Sequence, residues 1–236
     1  AAKNNIRYID CDMNRMWTNN IINSKINNHT NEKKELLMLK ELIDKIIALK
    51  KKKNITIIDL HNTSSPNGVF TIVNNLREKN LANSLKIPTI NNLFSKVKGS
   101  LAAYYSDKGI ASIVFEGGAI GDPASINNHE AGIWKILEKR NFITKNLIPK
   151  QALRNKKEMR DFSAKTTGFY EVKYIYKIKE NEDFMMNPNM QNFEKLKKGQ
   201  SIARNQDGPI TVPMNGHLLM PLYQKQGKEG FYIITK

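Results

Sequence analysis

The sequence predicts an α/β domain followed by a small all-β region. Three observations carry that prediction. Short β-branched runs alternate with stretches of helical periodicity through residue 145. Beyond about residue 160, aromatic and β-branched runs recur between Gly, Pro and Asn turns. Hydrophobic residues make up 40% of the 236, enough for a sizeable core. The boundaries are therefore expected at 1–145 and 160–236.

Residues 6–13 read as an extended segment that feeds a polar, Asn-rich loop. From Glu32 to Leu49, the apolar residues Leu36, Leu39, Ile43, Ile46 and Ile47 recur at helical spacing. Thr30 or Asn31 can cap that helix, and Glu32 suits the positive end of its dipole. Ile55–Leu60 and Val69–Val73 are β-branched runs, separated by a Ser-Ser-Pro-Asn-Gly turn, and a helix is expected over 75–86. Ile110–Phe115 is a further buried strand, ended by Gly117-Gly118. Asn127 and Glu130 have capping-box spacing for a helix to Lys139. This order places helices on a mainly parallel sheet. A basic, polar stretch (Lys145–Lys165) leads to strands at Phe169–Ile178, His217–Tyr223 and Phe231–Thr235. No internal repeat is present.

A net charge of +16 favours anionic partners. Lysine is abundant throughout, however, and runs such as Lys50–Lys53 and Lys195–Lys198 read as solvated faces. No stacking block or nucleic-acid motif accompanies the charge, so nucleic acid is not the expected partner. No apolar run reaches the roughly 18–20 residues of a membrane span. Cys11 is the single cysteine, which excludes an internal disulfide and fits a reducing, cytoplasmic setting.

Two predicted strands deliver polar residues at their carboxyl ends, where α/β sheets gather ligands. Ile55–Leu60 leads to Asp59 and His61, and Ile110–Phe115 leads to Glu116. Position alone fits a shared site, and equally a satisfied histidine and a surface carboxylate.

The longer motifs separate these readings. Arg7-Tyr8-Ile9-Asp10-Cys11-Asp12-Met13-Asn14-Arg15 and Asp59-Leu60-His61-Asn62-Thr63 closely resemble two blocks of the aspartoacylase/succinylglutamate desuccinylase family, relatives of the zinc carboxypeptidases. Val114-Phe115-Glu116-Gly117-Gly118 resembles, more loosely, the block with the family's catalytic Glu. The resemblance covers nearly the whole chain and implies a zinc-carboxypeptidase-like mixed sheet flanked by helices, with a small all-β C-terminal domain.

By matching position, the resemblance implies His61 as a zinc ligand and Glu116 as the general base that later protonates the leaving amine. Arg7 would polarise the scissile carbonyl, and Asn14 and Arg15 would grip a substrate carboxylate. Asp12 would orient a metal-bound histidine. Tyr232, near the C-terminus, matches a substrate-contacting tyrosine. The family's His-x-x-Glu metal motif belongs before the first block, so two further zinc ligands are expected upstream of residue 1. His29-Thr30-Asn31-Glu32 has that spacing but follows the block and starts a capped helix, so it is not expected to bind metal. His129 and His217 are expected in packing or surface roles.

One departure bears on specificity. Where aspartoacylases carry an arginine about ten residues before the catalytic Glu, this chain has Tyr105-Ser106-Asp107-Lys108. Lys108 is a poorer carboxylate clamp than arginine, which argues against N-acetylaspartate. The resemblance implies a zinc-dependent hydrolase of N-acyl amino acids or related carboxylate-bearing amides. A peptide-cleaving zinc carboxypeptidase and a non-catalytic, basic nucleic-acid-binding relative are the alternatives, and a homodimer is left open.

Overall fold

A computed structural model describes residues 6–25, 29–50 and 54–236. Its frame is an eight-stranded sheet with β1 (Thr56–Thr63) at one edge and β4 (Ala111–Ala119) beside it. Next come β2 (Val69–Ile72), β3 (Thr89–Asn91) and β5 (Phe169–Lys177), then β11 (Glu229–Thr235), β10 (Gly216–Leu219) and β7 (Lys195–Leu196). The sheet is mixed rather than mainly parallel. β1–β4, β2–β3 and β3–β5 pair in parallel, and the other neighbours are antiparallel. The C-terminal strands thus extend the first sheet, while β6 (Met185–Met186), β8 (Ser201–Asn205) and β9 (Gly208–Thr211) form a second one.

Helix α2 (Asn31–Leu49), which follows the short α1 (Asn19–Asn23), has the expected extent because Thr30 accepts a hydrogen bond from the Lys33 amide at its N-cap. Helix α3 (Leu76–Asn83) is shorter than expected. It opens with a capping box between Asn75 and Glu78, whose buried carboxylate also accepts from the Ser112 amide on β4. Two short helices, α4 (Leu93–Lys96) and α5 (Leu101–Asp107), follow β3.

Helix α6 (Ala124–Lys139) starts a turn earlier than the Asn127–Glu130 spacing predicts. Asp122 accepts from the Ala124 amide, and Pro123 tolerates the first turn because it has no amide to leave unpaired. β4 runs through Gly117 and Gly118 instead of ending at them. Residues 6–13 are bends leading into a 3-10 turn at Met13–Arg15, not an extended strand.

The basic stretch after residue 145 contains helix α7 (Lys150–Ser163), which packs on α6. Its buried residues Ala152, Asn155, Met159 and Ser163 form one helical stripe. Lys195, Lys197 and Lys198 are exposed, and residues 51–53 of the other lysine run lie outside the described residues. No helix among the described residues is long and apolar enough to cross a membrane.

Candidate active site

The site forms where β1 and β4 end side by side. The two strands are parallel and in register, pairing Asp59 with Val114 and His61 with Glu116. Side chains two residues apart share a strand face, so Asp59 and His61 stand together. His61 Nε2 lies 3.0 Å from Asp59 Oδ1 and 3.2 Å from Asn14 Nδ2. Glu116 is 2% exposed, and its Oε2 has no hydrogen-bond partner, as is true of Asp59 Oδ2.

Burial dominates the Glu116 carboxyl and, with the nearby Asp59 charge, pushes it up to about 7 against the opposing pull of His61 and Arg7. Burial works against a charged His61, yet the Asp59 hydrogen bond and the Glu116 and Asp59 charges outweigh it and push the imidazole up to about 9.

A second wall comes from the loop at residues 7–17. Asp12 caps the 3-10 turn by accepting from the Asn14 amide at 3.0 Å. The same carboxylate pairs with Arg7 at 3.0 Å and approaches Arg15 at 3.9 Å. Met16 and Trp17, each 2% exposed, anchor the loop in a cluster with Leu36, Tyr104 and Tyr105. Gly99 lies against the loop with φ +94°, and a Cβ there would come within 2.5 Å of the Arg15 backbone. Glu32 accepts from the Ile9 and Asp10 amides, so the glutamate of His29-x-x-Glu32 holds this loop.

The C-terminal strands supply a third wall. Glu229 binds Arg15 at 2.7 Å, and Tyr232 is 4% exposed and borders the same cavity. The cavity measures about 440 Å³, within the range of small-molecule sites. It gathers Arg7, Asp12, Asn14, Arg15, His61, Glu116 and Tyr232, every residue that the sequence singled out for the site. Lys108 is not among its walls and instead stacks over the Tyr104 ring at 4.4 Å. His217 packs against Tyr170, on β5.

Three further residues shape the site. Asp59 is the carboxylate in contact with His61, and its i, i+2 spacing on a strand makes that contact legible. Glu229 carries no local signal, because its partner lies 214 residues away. His129, on α6, reaches behind the two strands. Its Nε2 lies 3.0 Å from the His61 carbonyl and 3.3 Å from that of Phe115, and Asn128 donates to the Gly117 carbonyl at 2.8 Å. A Cβ on Gly117 would stand 2.4 Å from His129 Nε2, so that approach requires glycine.

Residues 1–133, more than half of the chain, match the profile of the succinylglutamate desuccinylase/aspartoacylase catalytic domain. The chain belongs to this family. The fold of this desuccinylase/aspartoacylase family member agrees with solved relatives, among them succinylglutamate desuccinylases from Vibrio parahaemolyticus and Vibrio cholerae. The first is 14% identical with a TM-score of 0.64 over 99% of this chain and 68% of that one. The second is 14% identical with a TM-score of 0.65 over 100% and 67%. A succinylglutamate desuccinylase/aspartoacylase from Rhodobacter sphaeroides aligns at 14% identity and a TM-score of 0.64, covering 100% and 71%. A search of curated protein sequences finds no significant match.

The sequence resemblance implies zinc, so the donor set matters. Catalytic zinc needs about three protein ligands and an open position. Among the described residues, no group of three His, Cys, Asp or Glu side chains is disposed to hold a metal ion. At the site, His61 is the one imidazole lining the cavity. The described residues therefore do not by themselves compose a zinc site.

Proposed function

We propose that this family member hydrolyses the amide bond of an N-acyl amino acid or a related amide bearing a free carboxylate. The reading rests on family membership and on one observation: a buried carboxylate, Glu116, stands in register with His61 at the floor of a small-molecule-sized cavity beside two arginines. The free Oε2 of Glu116 gives the carboxylate an acceptor without a competing protein donor.

In the proposed reaction, Glu116 takes a proton from the attacking water as its oxygen bonds to the scissile carbonyl carbon. When the C–N bond breaks, that proton passes to the amine nitrogen, and the second proton of the water leaves the new carboxylic acid for the amine, giving a carboxylate and an ammonium. Arg7, held by Asp12, faces the developing negative charge on the carbonyl oxygen. Asn14, Arg15 and Tyr232 receive the rest of the substrate, and a planar guanidinium suits its carboxylate. Zinc belongs to this proposal with His61 as one ligand, and it requires donors beyond the described residues.

The test is amine release from N-acyl amino acids by zinc-supplemented protein. Glu116→Gln should lower turnover by about 10²- to 10⁴-fold, the usual worth of a general base, with the fold unchanged by circular dichroism. Turnover within a few-fold of the parent protein would remove Glu116 from the reaction. Release of C-terminal residues from peptides, with acylated amino acids inert, would replace the substrate class.

A further inference from the structure

The cavity has two unlike sets of lining residues. One is polar and carries Arg7, Arg15, His61 and Glu116. The other is formed by Ile72, Leu93, Phe94, Val97, Val114 and Met220. Four of these six belong to the apolar core around Phe70 and Ile90, and Val97 and Met220 are partly buried against it.

Charge on the cavity walls is already balanced within the protein. Among the described residues, its cationic side chains are Arg7, Arg15 and Lys228, whereas Asp10, Asp12, Glu116 and Glu229 are acidic. Arg7 is bound to Asp12, and Arg15 is bound to Glu229 and lies near Asp12. Lys228 is exposed at the rim. One substrate carboxylate can share or take over a guanidinium at the polar side. A second carboxylate would face an aliphatic and aromatic wall, lose its hydration, and gain no cation in return. A methyl-rich or aromatic group would lose no hydrogen bonds there and would bury apolar surface.

We infer that the substrate carries a single carboxylate and an apolar group, aliphatic or aromatic, which lies against the Phe94–Val97–Met220 wall. Dicarboxylic amides are disfavoured by the same surface, which offers a second carboxylate no cation among the described residues. This inference rests on the amide-hydrolase reading and narrows its substrate class.

Binding and turnover separate the two claims. Calorimetric titration of the zinc-supplemented protein with N-acetyl-leucine, N-acetyl-phenylalanine and N-acetylaspartate reads recognition, and amine release reads hydrolysis. The apolar derivatives should bind at least about 30-fold more tightly, a modest figure for rejecting an unpaired carboxylate. Val97→Arg should narrow that gap by raising affinity for N-acetylaspartate, and Met220→Lys provides a second variant on the same wall. Equal or tighter binding of N-acetylaspartate by the parent protein would overturn the inference, even with all three amides hydrolysed. Preferential binding of the apolar derivatives without hydrolysis would uphold this selectivity and overturn the reaction. Neither binding nor hydrolysis of any of the three would overturn both.

Discussion

β1 and β4 lie side by side and share a direction, yet they hold the paired site residues His61 and Glu116 by opposite means. β4 is buried along almost its full length, and Glu116 on it is buried with one oxygen unpartnered. β1 is an edge strand, intermediate or exposed over most of its length, and His61 is fixed by Asp59 and Asn14. The carboxylate is thus positioned by packing and the imidazole by polar contacts. Packing tolerates little change in volume, while a polar contact tolerates change that preserves its donor or acceptor.

The difference can be broken first at the core. Ile113 on β4 is fully buried, so Ile113→Ala should destabilise the protein by about 4 kcal/mol. Ile57 on β1 is partly buried, and Ile57→Ala should cost about 1–2 kcal/mol. Equal losses in denaturant titrations would mean that the edge strand is supported as strongly as the central one. The His129 clamp comes next. Gly117→Ala places a methyl group against an imidazole that ties the two strands, and a loss of about 2 kcal/mol is expected from overpacking. Turnover should fall with it, because the His61 and Phe115 carbonyls lose their common donor; unchanged turnover would show that the strands hold their register without His129. The smallest effect is expected at Leu60, 41% exposed on β1, where Leu60→Thr should stay within about 0.5 kcal/mol.

The same contrast explains what the sequence disclosed. β1, β2, β4 and α2 are written in local periodicity and caps, and their places were legible. Glu116 and His61 were legible as polar residues ending apolar runs. The helix at Lys150–Ser163 was hidden because its buried stripe includes Asn155 and Ser163, which do not read as core. β3 spans three residues, too few for a period. The apolar wall of the cavity was also hidden, since Leu93, Phe94, Val97 and Met220 look like ordinary core residues until the fold leaves space beside them.

The Arg15–Glu229 pair has a consequence in time. It joins a loop near the start of the chain to the last strand, 214 residues later. A ribosome delivers the chain from its N-terminal end, so β1 and β4 can pair long before β11 emerges. Until then, Arg15 lacks its carboxylate and the cavity lacks Tyr232. The cavity's third wall therefore waits for residues 229–232, and a nascent chain stalled before residue 229 has Glu116 in place within a pocket still open on one side.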